Sequence, residues 1–161
     1  MKKFLSLMLV IVLVLSSAVV AFAAEPQEGE KKERINIANE FNEELHQIID
    51  LRIEKNDLNT EILTIKDGMI DAKAEKDELS EAVKEAVKGI REELKGINGE
   101  VKALSESIRE TKAAFKEAIK AQDMDEAEAL LEQEIQCHET VNDYLEDKIA
   151  LLNEILETVT E

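Results

Sequence analysis

The stretch LKGINGEVKALSESIRETKAAFKEA, residues 94–118, carries apolar or small side chains at alternating steps of three and four residues. The same spacing begins near Ile62 and resumes from Leu131 to Val159. A hydrophobic repeat of this kind is typical of helices that bury one stripe against another helix. The sequence therefore predicts an all-α fold, an antiparallel coiled coil or helical bundle of three long helices, or of four if the middle helix breaks. The stripe within the stretch consists of Leu94, Ile97, Val101, Leu104, Ile108, Thr111, Phe115 and Ala118.

The first 23 residues have the features of a secretory signal peptide. Two lysines precede an apolar run over residues 4–20, and Ala21-Phe22-Ala23 supplies small residues at the −3 and −1 positions of a cleavage site. This run is slightly short for a membrane span of about 20 residues, which favours cleavage after Ala23 over an uncleaved anchor. We therefore expect an extracytoplasmic chain, secreted, periplasmic or in the cell envelope, with no stable membrane anchor.

The charge of the processed chain limits its partners. Without Lys2 and Lys3, 18 basic residues stand against 37 acidic ones, a net charge of −19. Nucleic acid is a poor partner, because binding phosphates requires clustered Lys and Arg. The expected partners are proteins, either a second copy or a client such as an unfolded basic chain, together with weakly bound divalent cations. The alternative is that the acidity only keeps an exported coiled coil soluble.

The processed chain divides into a short tether and one helical domain. Residues 24–33 combine Pro, Gln, Gly and charged side chains without an apolar period, which predicts a flexible acidic tether. The rest, residues 34–161, forms the helical domain. The stripe of its first helix is weak where the expected apolar position falls on Lys55. The predicted helices cover residues 34–66, 69–121 and 124–158.

Turn signals and glycines set these boundaries. Asp67-Gly68 predicts the turn between the first two helices, and Asp123 has the spacing of an N-cap for the third. Glycines crowd residues 89–99, where the apolar stripe, followed through Ala86 and Ile90, also slips by one residue before Leu94. Because the stripe stays in phase from Leu94 onward, we expect a weak or bent point there. A break at Gly96–Gly99, giving four helices, is the alternative.

The third helix carries a second apolar stripe beside the first. Two seams on one helix indicate two neighbours, either within a bundle or in an oligomer. If this stripe is not covered internally, it is a candidate interaction surface. Its residues are Leu130, Cys137, Val141, Tyr144, Leu151 and Ile155.

Three polar residues of the third helix lie at core-type positions. Asn142 either fixes the register of the helices, as a buried Asn can, or marks a solvated layer. Cys137 and His138 could suggest a metal site, but neighbouring helical residues point about 100° apart, so both are expected to be packing residues. His138 then shares the register role of Asn142. If the seam of Cys137 faces a second copy, this lone cysteine could form an intermolecular disulfide.

Catalytic motifs are not recognisable in the sequence. The two histidines, His46 and His138, stand in or beside helical stripes, and no Ser-His-Asp or Cys-His set accompanies them. The sequence has no glycine-rich phosphate loop. We therefore expect neither an enzyme nor a bound cofactor or metal.

Two segments resemble the Spy/CpxP group of periplasmic helical chaperones. Residues 118–127, AIKAQDMDEA, resemble the loop-to-helix segment of that group, where a small residue and a Phe-Asp step precede an Ala-rich helix. Ile35-Asn36-Ile37-Ala38 resembles its Leu-Thr-x-x-Gln motif, with Ala38 and Phe41 in place of the Thr and the Gln. The resemblance covers about a third of the chain. It implies ATP-independent binding of unfolded clients or a role in metal stress in the envelope.

Taken together, these features predict a secreted or cell-envelope helical interaction protein without enzymatic activity. One form of this hypothesis is a chaperone-like binder of unfolded or basic clients. The first alternative is a structural coiled-coil protein of the surface or envelope that has no client. The second is an acidic protein that binds divalent cations with low affinity.

Overall fold

Three long helices make up almost all of the chain that the computed structural model describes, which comprises residues 37, 39–74 and 79–160. From residue 40 to residue 160 the described chain forms one compact unit, and the all-α prediction is confirmed. The predicted signal peptide and tether, residues 1–33, lie outside the described residues. The helices are α1, Asn42–Ala74, α2, Glu81–Ala121, and α3, Met124–Thr160.

Helix α3 packs against both of the other helices. The amide of Gln47 donates to Glu139 at 3.4 Å. Further along, a Cβ built on Gly68 would lie 3.7 Å from the side chain of Leu156. The later residue of α1 lies beside the later residue of α3, so α1 and α3 run parallel.

Helix α2 runs antiparallel to α3. Lys112 of α2 pairs with Glu134 of α3 at 3.1 Å, whereas Lys148, 14 residues further along α3, donates to Asn98 of α2 at 2.6 Å. The partner on α2 thus moves back as the residue on α3 moves forward. The bundle is up-down-up, and α3 contributes to both helix interfaces, as its two seams predict.

The ends of α2 and the start of α3 are capped by local hydrogen bonds. Ser80 is the N-cap of α2, and its hydroxyl accepts from the backbone N–H of Val83 at 3.3 Å. At the other end Gln122 adopts a left-handed conformation, with φ 59°, which closes the helix. Asp123 accepts from the backbone N–H of Glu126 at 3.1 Å, so the predicted cap of α3 is confirmed.

The predicted turn at Asp67-Gly68 is wrong. Helix α1 continues through it to Ala74, and α2 begins at Glu81 instead of residue 69. Gly68 lies inside the helix, and a Cβ there would make only an ordinary van der Waals contact with Leu156 of α3. A glycine within a helix therefore resembled a turn signal in the sequence.

Helix α2 is unbroken across residues 89–99, so the alternative of four helices does not hold. The expected slip of its stripe is absent, because the buried residue is Val87, 5% exposed, while Ala86 is exposed. With Val87 in the stripe, the steps to Ile90 and Leu94 are three and four as elsewhere. A Cβ built on Gly96 or its neighbouring glycines would meet nothing within 4 Å.

The core lies where the three helices face one another. Helix α1 contributes one line of residues at steps of three and four, which we call the inner seam. Ile48, Ile62 and Ile65 of this seam are buried. The inner seam consists of Ile48, Leu51, Lys55, Leu58, Ile62, Ile65, Met69 and Ala72.

None of α1, α2 and α3 is long and apolar enough to span a bilayer.

Candidate functional site

The second stripe of α3 is largely covered within the bundle. Val141 is 0% exposed and Ile155 is 2% exposed, and both belong to the central core. Cys137 and Leu151 are partly buried and pack against that core. The other two members, Leu130 and Tyr144, are half-buried. The stripe was a candidate interaction surface only if the bundle left it uncovered. Because α1 and α2 pack against it, it is not a free surface.

Cys137 faces α2 of its own chain. Its sulfur lies 3.8 Å from the hydroxyl of Ser107, and the thiol is free and half-buried. A disulfide with a second copy would require this side chain to leave its contact with Ser107. In the described residues, no group of three or more His, Cys, Asp or Glu side chains is placed to hold a metal ion.

A polar cluster lies inside the bundle along one side of α3. Glu134, 4% exposed, forms an ion pair with Lys112 of α2 at 3.1 Å. His138, one helical turn further on, places Nε2 at 3.5 Å from the same carboxylate. Both ring nitrogens of His138 are buried and have no hydrogen-bond partner among the described residues. Glu134 was not among the residues expected to lie inside the bundle, although its spacing of seven from Val141 could have revealed it.

Asn142 continues this cluster toward α1. Its amide donates to the backbone carbonyl of Leu51 at 3.0 Å and to the carboxylate of Glu54 at 2.7 Å. These bonds cross from α3 to α1 and can form in only one alignment of the two helices. The contacts therefore support the register role over a solvated layer, because Asn142 is only 4% exposed.

Lys55 interrupts the inner seam of α1, as the sequence indicates. Burial lowers the pKa of its ammonium group below the ordinary value of 10.5, and the positive charges of Lys112 and Arg52 lower it further. A charge held partly out of water beside two others weakens the core locally. Burial, together with Lys66, likewise lowers the pKa of Lys148.

The clearest uncovered apolar surface in the described residues lies on α1. Ile53, Leu63 and Ile70 are 54%, 65% and 66% exposed. They belong to a second line of residues at steps of four and three, on the side of α1 away from the inner seam. We call this line the outer seam. It consists of Ile49, Ile53, Asn56, Thr60, Leu63, Asp67 and Ile70.

Charged residues of opposite sign follow the two sides of the outer seam. One side, the acidic edge, carries Asp50, Asp57 and Asp71. The other side, the basic edge, carries Arg52, Lys66 and Lys73. In the described chain no ion pair involves these six residues, whereas α2 forms ion pairs between its own residues three apart. The edges of α1 are therefore available to a partner.

Acidic side chains also surround Ile53 in a shallow groove on α1. Asp50, Glu54, Asp57 and Glu61 line it together with Leu58 and Ile53. These apolar residues rimmed by carboxylates lie on α1, whereas the sequence suggested a stripe of α3 as the candidate surface. The steps of the outer seam are visible in the sequence, but polar residues interrupt it.

Comparisons with known proteins leave the family open: no family model, no curated protein and no solved structure matches the chain. The resemblance to the Spy/CpxP group stays a prediction.

Proposed function

We propose that this chain is a helical interaction protein of the extracytoplasmic space, without enzymatic activity, and that its docking surface is the outer face of α1. The observation that carries the proposal is the exposure of Ile53, Leu63 and Ile70 on one side of a single helix. Exposed apolar side chains in line favour a protein-interaction site. Their helical spacing fits the apolar face of another helix.

Two forms of this function use the same face differently. In the chaperone-like form, the groove around Ile53 holds an unfolded basic segment, whose charges complement Asp50, Asp57 and Glu61. In the structural form, the face pairs with folded helices and no client binds. The strong negative charge of the chain supports the first form, and the regular spacing of the outer seam supports the second.

The proposal is tested with a double variant, Leu63→Glu with Ile70→Glu, on the exported chain. Two readouts are taken: the self-association of the chain by sedimentation velocity, and the aggregation of reduced lysozyme, a basic unfolded probe, by light scattering. We expect at least one of these activities in the original chain and its loss in the double variant. The matched control is Ala103→Glu with Ala113→Glu, which adds the same charge to exposed positions of α2.

The control variant should behave like the original chain in both assays. Because the substituted residues are exposed, both variants should keep their helices. Circular dichroism at 222 nm checks this. If the original chain neither associates nor suppresses aggregation at stoichiometric amounts, the proposed function is contradicted. The same holds if the α1 variant retains full activity.

A further inference from the structure

We propose that the partner of the outer seam is the outer seam of a second copy of this chain, and that the two α1 helices pair in parallel. This inference rests on the proposed function, since it uses the same face of α1, and it names the partner. The two bundles would then be joined by a two-stranded coiled coil along α1. The inner seams would stay inside their own bundles.

The first argument is the periodicity of the exposed face. The steps of four and three along the outer seam match the d and a positions of a heptad repeat. Ile49, Leu63 and Ile70 fall at d positions, and Ile53 falls at an a position. The seam covers 22 residues, roughly 33 Å of helix at 1.5 Å per residue, so it provides about three heptads of contact.

The second argument is the sign of the charges beside the seam. In this heptad the basic edge occupies the g positions and the acidic edge the e positions. In a parallel pair, each g residue faces the e residue five positions later on the partner helix. Arg52 then faces Asp57 of the second copy, and Lys66 faces Asp71. An antiparallel pair would instead bring like edges together, so the charges select the parallel arrangement.

Polar residues within the seam keep the pairing weak. The hydroxyl of Thr60 already donates to the carbonyl of Asn56 at 3.0 Å, so its burial leaves no donor unsatisfied. Asp67 stands at an a position and would meet Asp67 of the second copy, with the Lys66 side chains beside them. We therefore expect a reversible dimer with a dissociation constant on the order of ten micromolar.

The first experiment measures the dimer directly. The exported chain, with its N-terminus identified by mass spectrometry, is studied by sedimentation equilibrium from low to high micromolar concentration. Leu63→Glu should raise the dissociation constant at least about tenfold, because it places two carboxylates in the seam. Ala103→Glu on α2 is the matched control and should leave the dissociation constant unchanged. A chain that stays monomeric over this concentration range overturns the proposal.

A second variant tests the seam by strengthening it. Asp67→Leu removes the charge that meets its own copy and adds an apolar a position. The dissociation constant should fall by about tenfold or more if Asp67 lies at the centre of the pair. An unchanged dissociation constant would show that the dimer forms elsewhere and would overturn the proposal.

The orientation is tested by cross-linking in a Cys137→Ser background. Ile49→Cys and Ile70→Cys are oxidised separately and as a mixture. A parallel pair should give a disulfide within each variant, because identical d positions face each other within disulfide distance. If neither variant forms a disulfide with its own copy, the two α1 helices are not paired in parallel along this seam, and the proposal is overturned.

These outcomes separate this inference from the proposed function. If reduced lysozyme binds through the α1 face while the chain stays monomeric, the proposed function stands and the dimer does not. If neither association is found, both fail.

Discussion

Helices α1 and α3 each carry two lines of apolar residues, but their surroundings differ. Both lines of α3 are covered, because α1 and α2 pack on either side of it, and Val141 is completely buried. In α1 only the inner seam is covered, and Leu63 remains 65% exposed. A second seam can therefore be covered inside the bundle, as in α3, or left exposed, as in α1. The arrangement of the other helices decides between them.

The largest expected effect separates the two kinds of seam by a buried charge. Val141→Asp should lower the free energy of unfolding by more than about 3 kcal/mol, because it places an unpaired carboxylate in the core. Leu63→Asp, at an exposed position of the outer seam, should change it by less than about 0.5 kcal/mol. Urea denaturation of dilute samples, followed at 222 nm, measures both. Similar losses in the two variants would mean that Leu63 is as buried as Val141.

The next effect compares a polar residue in each helix. Asn142→Ala should lower the free energy of unfolding by about 1–2 kcal/mol, because the part-buried bonds from its amide to the Leu51 carbonyl and the Glu54 carboxylate are lost. Asn56→Ala, in the outer seam, should stay within about 0.5 kcal/mol of the original chain. The same urea titrations measure these changes. A neutral Asn142→Ala would argue for the solvated layer and against a role in register.

The smallest effect compares two basic residues of α1. Lys55→Leu should raise the free energy of unfolding by about 0.5–1 kcal/mol, because it replaces a partly buried charge in the inner seam by an apolar side chain. Arg52→Leu, on the basic edge, should bring no comparable gain in a dilute monomer. Thermal denaturation at neutral pH compares the two.

The advantage of Lys55→Leu should also depend on pH. Because the pKa of Lys55 is lowered in the folded chain, the unfolded chain binds more protons between that lowered pKa and the ordinary value of 10.5. The contribution of Lys55 to the free energy of unfolding of the original chain therefore becomes more favourable as the pH rises through that window. The difference between original and variant should narrow from neutral pH toward pH 10.5. A difference that widens would contradict the assigned cause of the shift.

Much of the fold could be predicted from the sequence. The alternation of three and four residues identifies the helices, and the spacing of Asp123 identifies the cap of α3. Gly68 could not be interpreted correctly, because a glycine inside a helix and a glycine that ends a helix look alike in sequence. Val87 was also missed, because Ala86 and Val87 are both apolar and the sequence does not say which of them faces the core. Placing Ala86 in the stripe produced a one-residue slip, whereas the structure buries Val87 and keeps the steps of three and four.

The candidate site was less predictable. The two seams of α3 indicated two neighbours, but periodicity does not say whether a neighbour belongs to the same chain. The outer seam of α1 has the required spacing, yet Asn56, Thr60 and Asp67 interrupt its apolar residues. Its significance emerges only when exposure and charge are considered together. The cross-helix bonds of Asn142 likewise depend on the register that places Glu54 opposite it.

Carbene footprinting of the purified chain, read out by mass spectrometry, tests most directly the claim that α3 is covered on both seams while α1 has one seam free. In dilute solution we expect strong labelling of Leu63 and Ile70 and protection of Val141 and Ile155. The labelling of Leu63 and Ile70 should fall as the concentration rises through the dimer range. Strong labelling of Val141 and Ile155, with Leu63 and Ile70 protected in dilute solution, would contradict the account.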